Sequence, residues 1–154
     1  MRFNRLGLTT LSSLAFIGTL GSVNLASDCT GQTIVENYTQ AYNARDAEQM
    51  GRLMDEDIQW LTAKNDKVAV TVQGKSNMIT GLADYFKSPM VITSSLDGWG
   101  NNGDYVSVVE TASWVTKSGD KKSQSSNAVY QIESCLIRRV WYFPEQKVVD
   151  VAGS

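Results

Sequence analysis

The residue with most scope for chemistry is Glu110, a carboxylate set in the apolar and β-branched run from Tyr105 to Thr116. Period-two alternation predicts Val106, Val108, Glu110, Ala112 and Trp114 on one face of a strand. A glutamate in such a row has two fates. It points to solvent, where Arg138 or Arg139 would pair with it, or it points into a cavity, where a positioned carboxylate can act as general acid or base. The other acidic candidate, Asp55-Glu56-Asp57, stands at a helix exit, where three acids together are expected to be solvated. With no histidine and only two well-separated cysteines, no zinc ligand set is expected, and no other metal or cofactor.

Strand register decides which residues join Glu110. If Ser118-Gly119 centres a tight turn, Thr116 faces Lys121 and Glu110 lies opposite Asn127. A further turn between Ile132 and Ile137 then sets Asn127 opposite Tyr142. The expected pocket is therefore Asn127 and Tyr142 beside Glu110, with Trp60 and Trp114 from strands and Tyr42 from a helix. The bland alternative for the tryptophans is a core and a dimer face.

The elements that must hold this pocket are legible in order. Ile34, Val35, Tyr38, Ala41 and Tyr42 recur at spacings of three and four, the stripe of an amphipathic helix. Asp46, with Gln49 three residues on, predicts a capping box that starts a second short helix carrying Met50, Leu53 and Met54. A strand is expected from Ile58, another over Val68 to Val72, and a third helix with Ser76 as its cap and Met78, Ile79, Leu82, Tyr85 and Phe86 on one side, closed by Pro89. After that the pattern changes to long strands: Met90 to Trp99, Tyr105 to Thr116, Lys121 to Ile132 and Leu136 to Phe143, with an edge strand at Lys147 to Val151. Strands of ten residues must twist and curl, and the helices are available to close the concave side. The expected class is α+β, a cone-shaped curled antiparallel sheet closed on its hollow face by N-terminal helices.

The first 27 residues read separately. Arg2 and Arg5 precede an apolar run from Leu6 to Val23 and the small residues Ala26 and Ser27, the order of a signal peptide, so the mature domain is expected over 28–154. A membrane anchor is the alternative, although the run is broken by Thr, Ser and Gly and is short of the roughly 20 apolar residues of a span. Removing that segment leaves 12 basic against 16 acidic residues, a net charge of −4, which argues against a nucleic-acid partner. An exported chain, periplasmic or secreted, meets an oxidising compartment, and Cys29 and Cys135 are then candidates for a disulfide. Lipid modification of Cys29 is the rival. The sequon Asn37-Tyr38-Thr39 falls within a helix and is discounted as a glycan site.

The phrase Tyr38 to Asp46, the exit Leu53 to Trp60, Gly74 with Ile79 and Tyr85-Phe86, the strand start Gly103-Asp104-Tyr105-Val106 and the final Trp141-Tyr142-Phe143 together resemble the SnoaL-like, nuclear transport factor 2-like superfamily, which includes the ketosteroid isomerases. The resemblance spans about Ile34 to Phe143. It implies that Tyr38 occupies the place of a helix tyrosine that donates to a developing oxyanion. It also implies a general-base aspartate near the first strand, where this chain has Thr62. Pro144 replaces a common acidic residue, and Ser134 a common turn glycine.

Three functions follow as expectations. The first is an exported pocket domain that binds a small, mostly apolar molecule without a complete catalytic set, as a homodimer through the sheet. The second is an isomerase, dehydratase or cyclase using Glu110 and Tyr38; the third, a partner-binding module whose hollow is packed shut.

Overall fold

A computed structural model describes residues 29–147. The signal peptide expected over 1–27, and all but the first residue of the edge strand expected at Lys147 to Val151, lie outside the described residues. Three helices come early: α1 (Gly31–Asn43), α2 (Ala47–Arg52) and α3 (Lys75–Tyr85). The strands are β1 (Met54–Lys64), β2 (Lys67–Gln73), β3 (Ile92–Asn102), β4 (Tyr105–Val115), β5 (Lys121–Glu133), β6 (Leu136–Tyr142) and the short β7 (Gln146–Lys147). They form one sheet in the order β2-β1-β6-β5-β4-β3, with β7 paired to β5. Among the described residues no helix is long and apolar enough to cross a membrane.

The α+β cone stands, with one topological difference. The sheet is antiparallel except where β6 returns to lie parallel to β1, so the two ends of the domain close on each other. Thr30 caps α1 by accepting from the Thr33 amide, and the stripe Ile34, Val35, Tyr38 and Ala41 is buried. It packs in one core with Val106 and Val108 of β4, Ala128 and Tyr130 of β5, and Ile137 and Val140 of β6. Each valine or isoleucine of this core contributes about 1.5–3 kcal/mol when fully buried, relative to exposure. Asp46 caps α2 as expected, its Oδ1 accepting from the Gln49 amide at 2.8 Å. Gly51 brings α2 hard against α3, because a Cβ there would overlap the Ile79 side chain.

Two local expectations need correction. β1 begins at Met54, so Asp55, Glu56 and Asp57 are strand residues; Asp55 pairs with Arg138 at 3.1 Å and Glu56 with Lys75 at 3.0 Å. Alternation separates them onto opposite faces of the strand, which a helical exit would not have done. The cap of α3 is Gly74 at φ +87°, two residues earlier than Ser76. The last hairpin turns on Ser134 and Cys135, both at positive φ (50° and 65°), the pair of signs that a two-residue type I′ turn demands and glycine usually supplies.

Cys135 of that turn is bonded to Cys29, one residue ahead of the α1 cap, with Cα atoms 5.4 Å apart. The bridge ties the start of α1 to the β5–β6 turn across a sequence separation of 106. A loop of that size corresponds to about 4–5 kcal/mol in the chain-entropy model, with measured values ranging lower. Replacing both cysteines by serine should lower the urea unfolding free energy by roughly 2–5 kcal/mol. Equal midpoints for the oxidised wild type and the double variant would refute the bridge.

Candidate functional site

Glu110 faces inward. Its neighbours in the row, Val106 and Val108, are buried under α1, and the carboxylate lies farther along, where the concave face opens beyond the helix. Three hydroxyls surround it. Ser94 Oγ donates to Oε1 at 2.6 Å, Tyr142 donates to Oε2 at 2.7 Å, and the Tyr130 hydroxyl lies 3.5 Å from Oε2. Since each hydroxyl has one proton and that of Tyr142 is given to Glu110, Tyr130 donates to the Tyr142 oxygen at 3.1 Å. The result is a relay from Tyr130 through Tyr142 to the carboxylate, closed from the other side by Ser94. Arg138 and Arg139 take no part: Arg138 pairs with Asp55 and Glu133, and Arg139 bonds Gln59 and Gln131.

Each donor has a structural reason to be where it is. Ser94 sits on the edge strand β3, which is clamped to the C-terminus of α1 by Asn43: the Asn43 amide donates to Ser94 O at 2.8 Å and its oxygen accepts from Ser94 N at 2.7 Å. Tyr142 is held by stacking on Trp60, ring centroids 5.0 Å apart. Tyr130 is fully buried and meets Tyr38 edge-on at 6.2 Å. Tyr42 closes the far side, its hydroxyl 3.2 Å from that of Tyr85 and its ring against Phe86. The segment after α3 is fixed by Arg45, which takes up a left-handed conformation (φ 58°) and donates to Phe86 O and to Ser88 O.

Two chambers meet at this cluster. An inner one of about 130 Å³ is lined by Tyr38, Tyr42, Met50, Trp60, Ser94 and Tyr130 together with Glu110, Ala112 and Tyr142. An outer one of about 460 Å³ shares Glu110, Ala112 and Tyr142 and opens between Thr62, Lys64, Gln124, Ser126 and Glu145. Tyr38 is the unusual member: its hydroxyl is buried with no hydrogen-bond partner among the described residues, a condition that costs about 1–3 kcal/mol in a folded protein. Burial pushes the Tyr38, Tyr42, Tyr130 and Tyr142 hydroxyls above the ordinary tyrosine range, and the charge of Glu110 adds to the rise at each. All four stay donors near neutrality.

Of the residues expected at the site, Tyr38, Tyr42, Trp60, Glu110 and Tyr142 come together around the inner chamber. Asn127 does not. Thr116 N bonds Asp120 O, which draws the β4–β5 loop one residue tighter, so Glu110 lies opposite Ser126 and Asn127 opposite Val109 on the outer face, exposed. The next hairpin turns where expected, with Ile132 opposite Ile137, but a bulge between Gln131 and Ile132 leaves Tyr142 opposite Ala128. Trp114 sits at the end of the Glu110 row, opposite Ile92 and Lys122, and lines neither chamber. Ser94 and Tyr130 escaped the sequence reading. Tyr130 becomes visible once the register moves by one, because it then shares the face of Ser126 and Ala128; Ser94 carries no signal in its local sequence. Thr62 lines the outer chamber, with no carboxylate in its place. Among the described residues no group of histidine, cysteine, aspartate or glutamate could hold a metal ion.

This arrangement of curled sheet, helical cover and enclosed cluster has relatives. The chain belongs to the SnoaL-like domain family, whose model matches residues 35–140. No curated protein matches it significantly in sequence. Among solved structures it is similar to a cystatin-fold protein from Novosphingobium aromaticivorans, at 23% identity and TM-score 0.60, covering 72% of this chain and 95% of that one. It is also similar to a protein of ketosteroid isomerase-like fold from Catenulispora acidiphila solved with trimethylamine (12%, TM-score 0.59, 72% and 84%). A third is an LEH-like epoxide hydrolase from M. tuberculosis (14%, TM-score 0.58, 71% and 78%). At these identities the likeness is one of fold, and chemistry has to be argued from the site.

Two measurements test the site. Tyr38→Phe removes an unpaired buried hydroxyl and should fold with unchanged or greater stability, by up to about 1–3 kcal/mol; a clear loss would mean that the hydroxyl has a partner inside the protein. The four raised tyrosines also set an alkaline limit. Unfolded tyrosines ionise near pH 10 while these hold their protons, so stability is fully present below that pH and falls as pH rises above it. In a 295 nm titration these four should ionise only together with unfolding, and smooth ionisation of all tyrosines while near-ultraviolet dichroism stays native would contradict their burial.

Proposed function

We propose that the protein is an exported pocket domain that binds a small, mostly apolar molecule carrying one hydrogen-bond-accepting oxygen. The observation that carries this reading is Tyr38, whose buried hydroxyl has no partner among the described residues and which lines a chamber walled by aromatic rings. A ligand oxygen placed there would relieve the cost of the buried donor, so the gain on binding exceeds that of apolar contact alone. The chambers weigh against a module whose hollow is packed shut. The Cys29–Cys135 bridge fits an oxidising, exported location. A homodimer through the sheet remains part of the proposal, supported by the exposed Tyr105 and Val115 of the outer face.

A second reading has one observation in its favour: Glu110 and Tyr38 line the same chamber, as proton abstraction by the carboxylate with oxyanion donation by the tyrosine would require. Against it, Ser94 and Tyr142 already occupy a lone pair on each carboxylate oxygen, and Tyr130 approaches one of them, which suits a group that orders its surroundings. The two readings part in a panel of cyclic ketones. Binding should raise the wild-type melting temperature, with affinity at least tenfold weaker in Tyr38→Phe. No response from any ketone would remove the pocket reading. Exchange of ketone α-protons with deuterated water, measured by NMR and lost in Glu110→Gln, would replace it with the enzymatic one.

A further inference from the structure

A second cavity, outside the Glu110 cluster, opens between α3 and the β1–β2 hairpin. It measures about 280 Å³ and is lined by Trp60, Thr71, Val72, Asn77, Met78, Gly81 and Leu82. No charged residue lines it. Each of its two polar residues is bonded to the backbone: the Thr71 hydroxyl donates to Trp60 O at 3.0 Å and the Asn77 amide nitrogen donates to Gln73 O at 2.8 Å. The remaining surface is hydrocarbon, sulfur and the indole of Trp60. Gly81 faces open space, since a Cβ built on it would meet no atom within 4 Å. The room is therefore created by the missing side chain of a residue in the middle of a helix, where glycine costs about 1 kcal/mol relative to alanine.

We infer that this groove is a second ligand site, for an uncharged aliphatic molecule, separated from the Tyr38 chamber by the Trp60 side chain. Complementarity fixes the class. A charged or strongly polar occupant would be desolvated without a partner, whereas an alkyl chain forfeits nothing. Size agrees: an apolar cavity of about 150 Å³ accepts a benzene, so this one suits a hydrocarbon roughly twice that large. The groove is open, and a terminal hydroxyl on such a chain would remain in water. Trp60 makes the site consequential, because it lines both cavities and its ring stacks on Tyr142, the donor to Glu110. A chain seated beside Trp60 bears on the partition of the candidate active chamber without entering it.

The test uses the full domain with its disulfide intact and straight-chain alcohols from 1-hexanol to 1-decanol, followed by melting temperature and tryptophan emission. The wild type should show a saturable rise in melting temperature that strengthens with chain length, and Tyr38→Phe should respond like the wild type. Gly81→Leu and Gly81→Met, which fill the groove and favour the helix, should melt at or above the wild type and bind at least tenfold more weakly. Gly81→Ala should retain most of the response. The emission change should vanish in Trp60→Phe. An undiminished response in either filled variant, or only a steady non-saturable fall of melting temperature, would overturn the groove. Loss of the response in Tyr38→Phe alone would move the alcohol into the inner chamber, refuting the second site while leaving the pocket reading intact.

Discussion

The hydrogen bonds that converge on the Glu110 carboxylate are the constraint around which the domain is arranged. A carboxylate held inside a curled sheet is expensive unless donors meet it, and here they come from two other strands, Ser94 of β3 and Tyr142 of β6, while Tyr130 of β5 donates in turn to the Tyr142 oxygen. Those strands must therefore hold one register and one curl. Asn43 at the end of α1 fixes β3, Trp60 of β1 fixes the Tyr142 ring, and the parallel contact of β1 with β6 brings Trp60 within stacking distance. Sheet, helices and site are consequences of one another.

Around that anchor the protein divides its interior by polarity. Beneath α1 and α2 much of the core is aliphatic, with Met50 and Met54 among its fully buried side chains. Toward the open end of the cone aromatic residues with hydroxyl tips line the space, and one of them, Tyr38, is left without an acceptor. Among the described residues eighteen apolar ones are buried nearly completely, and within that core the Tyr38 hydroxyl stands without a hydrogen-bond partner. Behind Trp60, the same wall presents a surface with no polar need at all.

Most of the architecture was legible because it rests on periodicity. The α1 stripe, the Asp46 cap and the four long strands, three of them to within a residue at each end, follow from spacing, and the SnoaL-like resemblance on those residues is matched by the family model. What the sequence hides is register. A single extra bond, Thr116 N to Asp120 O, moves Asn127 to the outer face and puts Ser126 beside Glu110. The bulge between Gln131 and Ile132 similarly decides which residue faces Tyr142. Ser94 was invisible for a different reason: its role depends on a long-range clamp from Asn43, 51 residues earlier, which no local pattern encodes.

The central claim is that the Glu110 and Tyr142 side chains are energetically coupled inside the cone. A double-mutant cycle of Glu110→Met and Tyr142→Phe, measured by urea unfolding, tests it directly. Contacting groups in one network couple by about 0.5–3 kcal/mol, and a charge-assisted bond lies toward the upper part of that range. A coupling above about 1 kcal/mol is the predicted result; losses that add to within about 0.3 kcal/mol would contradict the account.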